Sequence, residues 1–189
     1  MKHLKTLLFL TAALCLIISC GRSDKSSKKD SLKKGTVEMV TLPFDVNALG
    51  NYTYVGPDTL PNPKCAEPYA AWRALVDGKG TGTPVGDFTV HFDFCGDSLS
   101  NYGNCDAFMA LSDGDTLFVT GAGRVMDGRL DDHPAYVVSY WRDPFVILGG
   151  TGKYQGATGD IITDDYNSSE DPNSHHHWKG TITMAKSKK

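Results

Sequence analysis

The chain has 189 residues, 40% of them apolar, with 19 Lys or Arg against 22 Asp or Glu and a formal net charge of −3. The near-neutral total hides an asymmetry, because residues 36–185 carry eight Lys or Arg and twenty Asp or Glu, near −12, while the segments on either side are basic. An acidic body excludes nucleic acid as a partner, since that affinity is dominated by neutralising phosphates.

The first residues, MKHLKTLLFLTAALCLIISC, open with Lys2 and Lys5 and continue as an apolar run from Leu7 to Ile18, the layout of an export signal. A bilayer-spanning helix takes ~20 apolar residues, and this run has twelve. Ile17-Ile18-Ser19-Cys20 before Gly21 resembles the lipobox of bacterial lipoproteins. That resemblance implies a signal peptide over 1–19, lipidation at Cys20 and a membrane partner reached through the lipid anchor. It places the protein in the bacterial cell envelope, with the outer membrane the expected site and its face left open. Residues 20–35 contain six Lys or Arg, two Asp and no aromatic residue. Such a segment buries too little apolar surface to offset its ordering entropy, so it reads as a flexible basic tether. A short basic tail, 186–189, ends the chain.

Residues 36–185 have the length of a single domain. They show no long amphipathic helix, only short runs rich in Val, Ile, Phe, Tyr and Thr punctuated by Gly, Pro, Asn and Asp, the pattern of an all-β sandwich or barrel. Segment 36–66 is expected to be mostly extended and turn-rich, with at most a short strand, packing over the barrel or plugging one end. Strands are expected near 69–76, 86–95, 106–112, 115–125, 135–141, 144–149, 154–165 and 177–184. The clearest is FTVHFDF, in which Phe88, Val90, Phe92 and Phe94 alternate with Thr89, His91 and Asp93. Asp113-Gly114 supplies the positive φ of a two-residue hairpin turn. YVVSYW (136–141) and FVIL (145–148) are apolar on both faces, so something should cover their outer side. Eight strands in sequential hairpins make an up-and-down meander that removes its edges by closing.

The stretch GGTGKYQGATGD (149–160) carries one lysine among its glycines. A P-loop needs glycine where Ile147 stands and a hydroxyl residue where Tyr154 stands, and the dinucleotide fingerprint needs glycine at Gln155. Gly149, Gly150, Gly152, Gly156 and Gly159 instead suit a structural turn between strongly bent strands.

PFVILGGTGKYQGATGDI (144–161) resembles the signature turn of the allene oxide cyclase and dirigent barrel superfamily, and GTGTPVGDFTV (80–90) and MALSDGDTLFVTGAG (109–123) are similar to two further segments of its bacterial members. The resemblance spans roughly residues 69–184. It implies an eight-stranded antiparallel up-and-down β-barrel whose lumen holds a small apolar ligand, and frequently a homo-oligomer. It carries no catalytic residue onto this chain.

Among residues able to carry chemistry, Arg73, Tyr140 and Trp141 are the candidates for fixing a ligand's polar group among apolar strands. Cys95 and Cys105 bracket GDSLSNYGN, and a disulfide closing that hairpin is expected, with Cys65 the alternative partner of either. His175-His176-His177, read as part of a long exposed connection, matches no zinc spacing, so neither metal nor cofactor is expected. Three functions remain: binding an apolar ligand in the lumen, an isomerase or cyclase acting on an apolar substrate, and a non-catalytic envelope interaction protein.

Overall fold

The computed structural model describes residues 37–186. The expected signal peptide 1–19, lipidation site Cys20 and tether 20–35 lie outside the described residues, as do residues 187–189 of the basic tail.

Twelve strands follow one another: β1 (Met39–Gly56), β2 (Trp72–Thr83), β3 (Gly86–Gly96), β4 (Asn101–Leu111), β5 (Thr116–Gly121), β6 (Gly123–Arg124), β7 (Met126–Asp127), β8 (Val137–Trp141), β9 (Pro144–Gly150), β10 (Thr158–Thr163), β11 (Asp165–Ser168) and β12 (Ser174–Ala185). They build eight staves, three of them interrupted: β1, β2, β3, β4, β5–β7, β8–β9, β10–β11 and β12. Each stave pairs antiparallel with the next, and β1 pairs with β12 from Met39↔Ala185 to Gly50↔Ser174. That last pairing closes the up-and-down barrel, which leaves no long edge exposed.

The count of eight is the expected one, but two of its members differ. Segments 135–141 and 144–149 are halves of one stave, interrupted at Arg142 and Asp143. The missing stave is β1, in the segment expected to lie over the barrel; only 57–71 does so. Val40, Leu42, Phe44, Val46 and Ala48 alternate inward along β1, yet Pro43 argues against an interior strand. Pro43 is tolerated because pairing with β2 begins only at Asp45, leaving that side of Pro43 open.

Three further details depart from expectation. The Asp113-Gly114 hairpin has a three-residue loop, Ser112 to Gly114, because Leu111 N–H already donates to the Asp115 carbonyl at 2.9 Å and only Gly114 takes positive φ, 89°. The three histidines lie on β12, which starts at Ser174. Among the described residues nothing covers the outer side of β8 and β9, where Val138 is 49%, Val146 40% and Leu148 63% exposed.

The glycine stretch is a turn with one short 3-10 segment, Gly152–Tyr154. Gly149, Gly152 and Gly156 sit at φ 122°, 50° and 71°, the region that favours glycine. At Gly150 and Gly159 a Cβ would stand 2.1 Å from the carbonyls of Thr116 and Thr181, so both positions let neighbouring strands approach. Lys153 N–H donates to Asp115 Oδ2 at 3.1 Å, and Thr116 N–H to Thr151 Oγ1 at 2.8 Å, stapling this turn to the β4–β5 hairpin. Tyr154, fully buried, plugs that end of the barrel together with Met109, Leu117 and Ile182.

Candidate functional site: the barrel lumen

Toward the opposite end the inward side chains leave a cavity of about 360 Å³, within the range of small-molecule sites. Alternation on the paired strands builds its wall. Trp72, Ala74 and Val76 point inward from β2, and Phe92 and Phe94 lie beside them on β3 in the pairs Val76↔Phe92 and Ala74↔Phe94. Tyr52, Tyr102, Trp141 and Phe145 complete an almost continuous aromatic lining. Val55, 63% exposed, also lines the cavity and so marks its rim.

One carboxylate organises the polar part of this wall. Asp165 is 1% exposed, and its Oδ2 accepts from Trp141 Nε1–H at 2.9 Å and Trp178 Nε1–H at 3.0 Å, with His176 Nδ1 at 2.9 Å. Its Oδ1 accepts from the His177 backbone N–H at 3.0 Å. Such convergence stabilises a buried charge that would otherwise be costly. The far nitrogen of His176 lies 2.9 Å from Ser174 Oγ, and Ser174 also donates to the Gly50 carbonyl at 3.1 Å. Gly50 is required here, since a Cβ would fall 2.7 Å from Ser174 Oγ and 2.9 Å from His176 Nε2.

Asp165, His176 and Ser174 thus follow the carboxylate–imidazole–hydroxyl order of a hydrolytic triad. The comparison ends at access: Ser174 is fully buried and does not line the cavity, so no acyl group reaches its hydroxyl. Cys105 does line the cavity, but burial pushes its thiol up to about 12, which leaves it protonated and a poor nucleophile. Burial likewise raises the phenols of Tyr52 and Tyr102, and the nearby Asp143 carboxylate raises Tyr102 further. Tyr102 directs its hydroxyl out of the lumen to donate to Asp143 Oδ2 at 2.9 Å.

The three ligand candidates part company. Trp141 lies in the cavity wall. Arg73 faces the outside of β2, where its Nε and Nη2 clamp Asp93 at 2.7 and 2.6 Å and its Nη1 reaches Asp58 at 2.9 Å and the Asn62 carbonyl at 3.2 Å. It holds segment 57–71 onto the barrel and is unavailable to a ligand inside. Tyr140 also faces outward, edge-on to His133 with ring centroids 5.3 Å apart.

The disulfide joins Cys65 to Cys95, correcting the expected Cys95–Cys105 pair. Cys95 lies opposite Arg73 and shares its outward side, while Cys105 points into the lumen, so the barrel wall separates the two. Among the described residues no group of three or more His, Cys, Asp or Glu side chains is arranged to hold a metal ion.

Sequence reasoning missed Asp165, His176, Tyr52 and Trp72 as lumen residues. A signal existed for Tyr52, on the inward phase of β1, and for Trp72, two residues before Ala74 on the inward phase of β2. Nothing in Asp164-Asp165 or His175-His176-His177 shows which member points inward until the pair Asp165↔Trp141 sets the phase.

Fold and cavity together define a closed antiparallel β-barrel with a ligand-sized aromatic lumen. No family model matches the chain, and no curated protein matches it. Among solved structures it is similar to a pterocarpan synthase dirigent protein, at 17% identity and a TM-score of 0.49, over 86% of this chain and 98% of that one. A second pterocarpan synthase dirigent protein is similar at 17% identity and a TM-score of 0.45, over 79% of this chain and 97% of that one.

Proposed function

We propose that the protein binds a small apolar molecule inside its barrel. The observation that carries this reading is the open cavity of about 360 Å³, walled by aromatic rings and opening at Val55. A barrel needed only as a scaffold gains stability by filling that space, since interiors ordinarily pack to crystal-like density. The test is to fill it. Ala74, on the wall between Trp72 and Val76, is changed to Trp, and the full chain is titrated with a fluorescent apolar dye. The wild type should bind dye and Ala74→Trp should not, with the far-UV spectrum unchanged; equal binding by both would place the dye elsewhere and remove the reading.

Anchoring through Cys20 in the bacterial envelope belongs to the same proposal, and rests on the lipobox-like residues 17–21. Cells fed an acyl label should label the wild type and not Cys20→Ser. The presence of Asp165 and His176 on the wall favours a second reading, an isomerase or cyclase in which the lumen restricts the substrate's conformation and these groups orient it. The exposed outer apolar side chains, Phe108, Phe118, Val146, Leu148 and Ile162, support contact with a partner or another copy. A chain that sediments as a monomer at all concentrations would remove self-association.

A further inference from the structure

We infer that the molecule held in the lumen is a cation, an organic ammonium carried on an aromatic or short aliphatic body. This deepens, and rests on, the reading of the lumen as a ligand site. Three features of the wall point the same way.

The first is the sign of the charge inside. Among the described residues no lysine or arginine lines the cavity, whereas the Asp165 carboxylate does. Three of its partners, the indoles of Trp141 and Trp178 and the backbone N–H of His177, are neutral dipoles that stabilise the charge without cancelling it. His176 bridges Asp165 and Ser174 through its two ring nitrogens. The field of Asp165 reaches across the lumen, where it adds to the burial that keeps Tyr52 and Tyr102 protonated. Coulomb attraction falls only inversely with distance, so a cation gains from Asp165 without touching it.

The second feature is the aromatic lining. The rings of Trp72, Phe94 and Trp141 line the cavity, with Phe92 stacked on His176 at 5.0 Å between centroids, and an aromatic face attracts a desolvated ammonium, that of Trp the most strongly. A purely apolar ligand would be served as well by leucine and valine. The third is approach: residues 36–185 together carry a net charge near −12, a field that favours the approach of cations over anions. Arg73, the residue expected to receive a carboxylate, is turned outward and occupied, so its charge does not serve an anionic ligand inside.

The experiment compares three probes of nearly one shape by quenching of tryptophan fluorescence in the full chain: phenethyltrimethylammonium, its uncharged tert-butyl isostere, and phenylpropionate. It is run at a single pH of about 8. The ammonium should bind roughly tenfold tighter than the isostere, and phenylpropionate more weakly than both. Asp165→Asn keeps the shape and an acceptor, and should bring the ammonium down to the level of the isostere. Because Asp165 is a buried hub, Trp72→Leu at the rim provides an independent variant, expected to weaken the ammonium more than the isostere. Equal affinity of ammonium and isostere, or tighter binding of phenylpropionate, would overturn the inference and leave an apolar ligand site standing. Binding of none of the three, with no dye binding either, would overturn both.

Discussion

The indole N–H of Trp141 meets the Asp165 carboxylate at 2.9 Å across the pair that joins β8 to β11, at an oxygen that also accepts from Trp178 on β12. Three staves are therefore tied through one buried atom at the edge of the lumen. Removing the acceptor strands several donors in a place without solvent. Asp165→Ala should cost several kcal/mol, since each orphaned buried donor costs roughly 1–3 kcal/mol. Asp165→Asn, which keeps an acceptor, should cost less. Urea unfolding of both variants reads the difference, and an alanine variant as stable as the asparagine one would deny Asp165 this role.

Arg73 and Asp93 form a two-pronged pair on the outer side of β2 and β3, with side chains 9% and 16% exposed. Lysine carries the charge but not the fork, so Arg73→Lys should lose roughly 1–3 kcal/mol of stability. Dye affinity should be unchanged, because the side chain is outside the lumen. Weakened dye binding at full stability would return Arg73 to the list of ligand contacts.

That residue also shows where a sequence stops being informative. Phe88 to Phe94 was legible because only one of its faces is apolar, and the Gly149–Gly159 turn because its glycines fail both phosphate-binding patterns. In AAWRALV the apolar side chains fall on both phases, since Leu75 on the outer face lies beside Arg73 and both are partly or fully buried. Alternation then cannot say which face is the lumen. The same ambiguity hid Tyr140 against Trp141, neighbours on one strand with opposite directions. β1 was obscured by Pro43, whose tolerance depends on how far β2 extends beside it, a fact of pairing and not of local sequence. The Asp165 hub is assembled from β8, β11 and β12, so no single window of sequence contains it.

The Cys65–Cys95 disulfide closes a loop with a sequence separation of 30 and, with Lys64 Nζ on the Asp93 carbonyl at 2.8 Å, pins segment 57–71 beside the cavity rim. By loop entropy a ring of that size contributes roughly 3–4 kcal/mol. The Cys65→Ser/Cys95→Ser double variant should lose about that much in chemical unfolding. It should also bind dye more weakly, as Val55 and Trp72, which flank the segment in sequence, lose a fixed position. A double variant with wild-type affinity would show that the rim is set by β1 and β2 alone.

Asp143 has an environment opposite to that of the surface carboxylates. Burial pushes its carboxyl above the usual range, although the Tyr102 hydroxyl and the Arg124 N–H both donate to it and pull the other way. A raised value means the folded chain holds that proton more tightly than the unfolded one. Its contribution to stability is fully present below the unfolded value near ~3.9 and is lost as pH rises through the folded value. At neutral pH Asp143 is therefore a cost, and Asp143→Asn, which can still accept from Tyr102, should melt higher than wild type at pH 7. Asp58 and Asp171 are held low first by the backbone N–H groups of Cys65 and Asn173, Asp97 by the Asn101 amide, Asp113 by Lys153 and Asp132 by Arg142. Their contributions are present at neutral pH and disappear as pH falls through the folded values, so both proteins should lose stability in acid. The gap between wild type and Asp143→Asn should nevertheless close as the pH drops toward the carboxylate range, because protonated Asp143 no longer differs in charge from Asn. Melting temperatures of the two chains across that range decide it, and a gap that stays constant with pH would mean that Asp143 is not ionised in a buried setting.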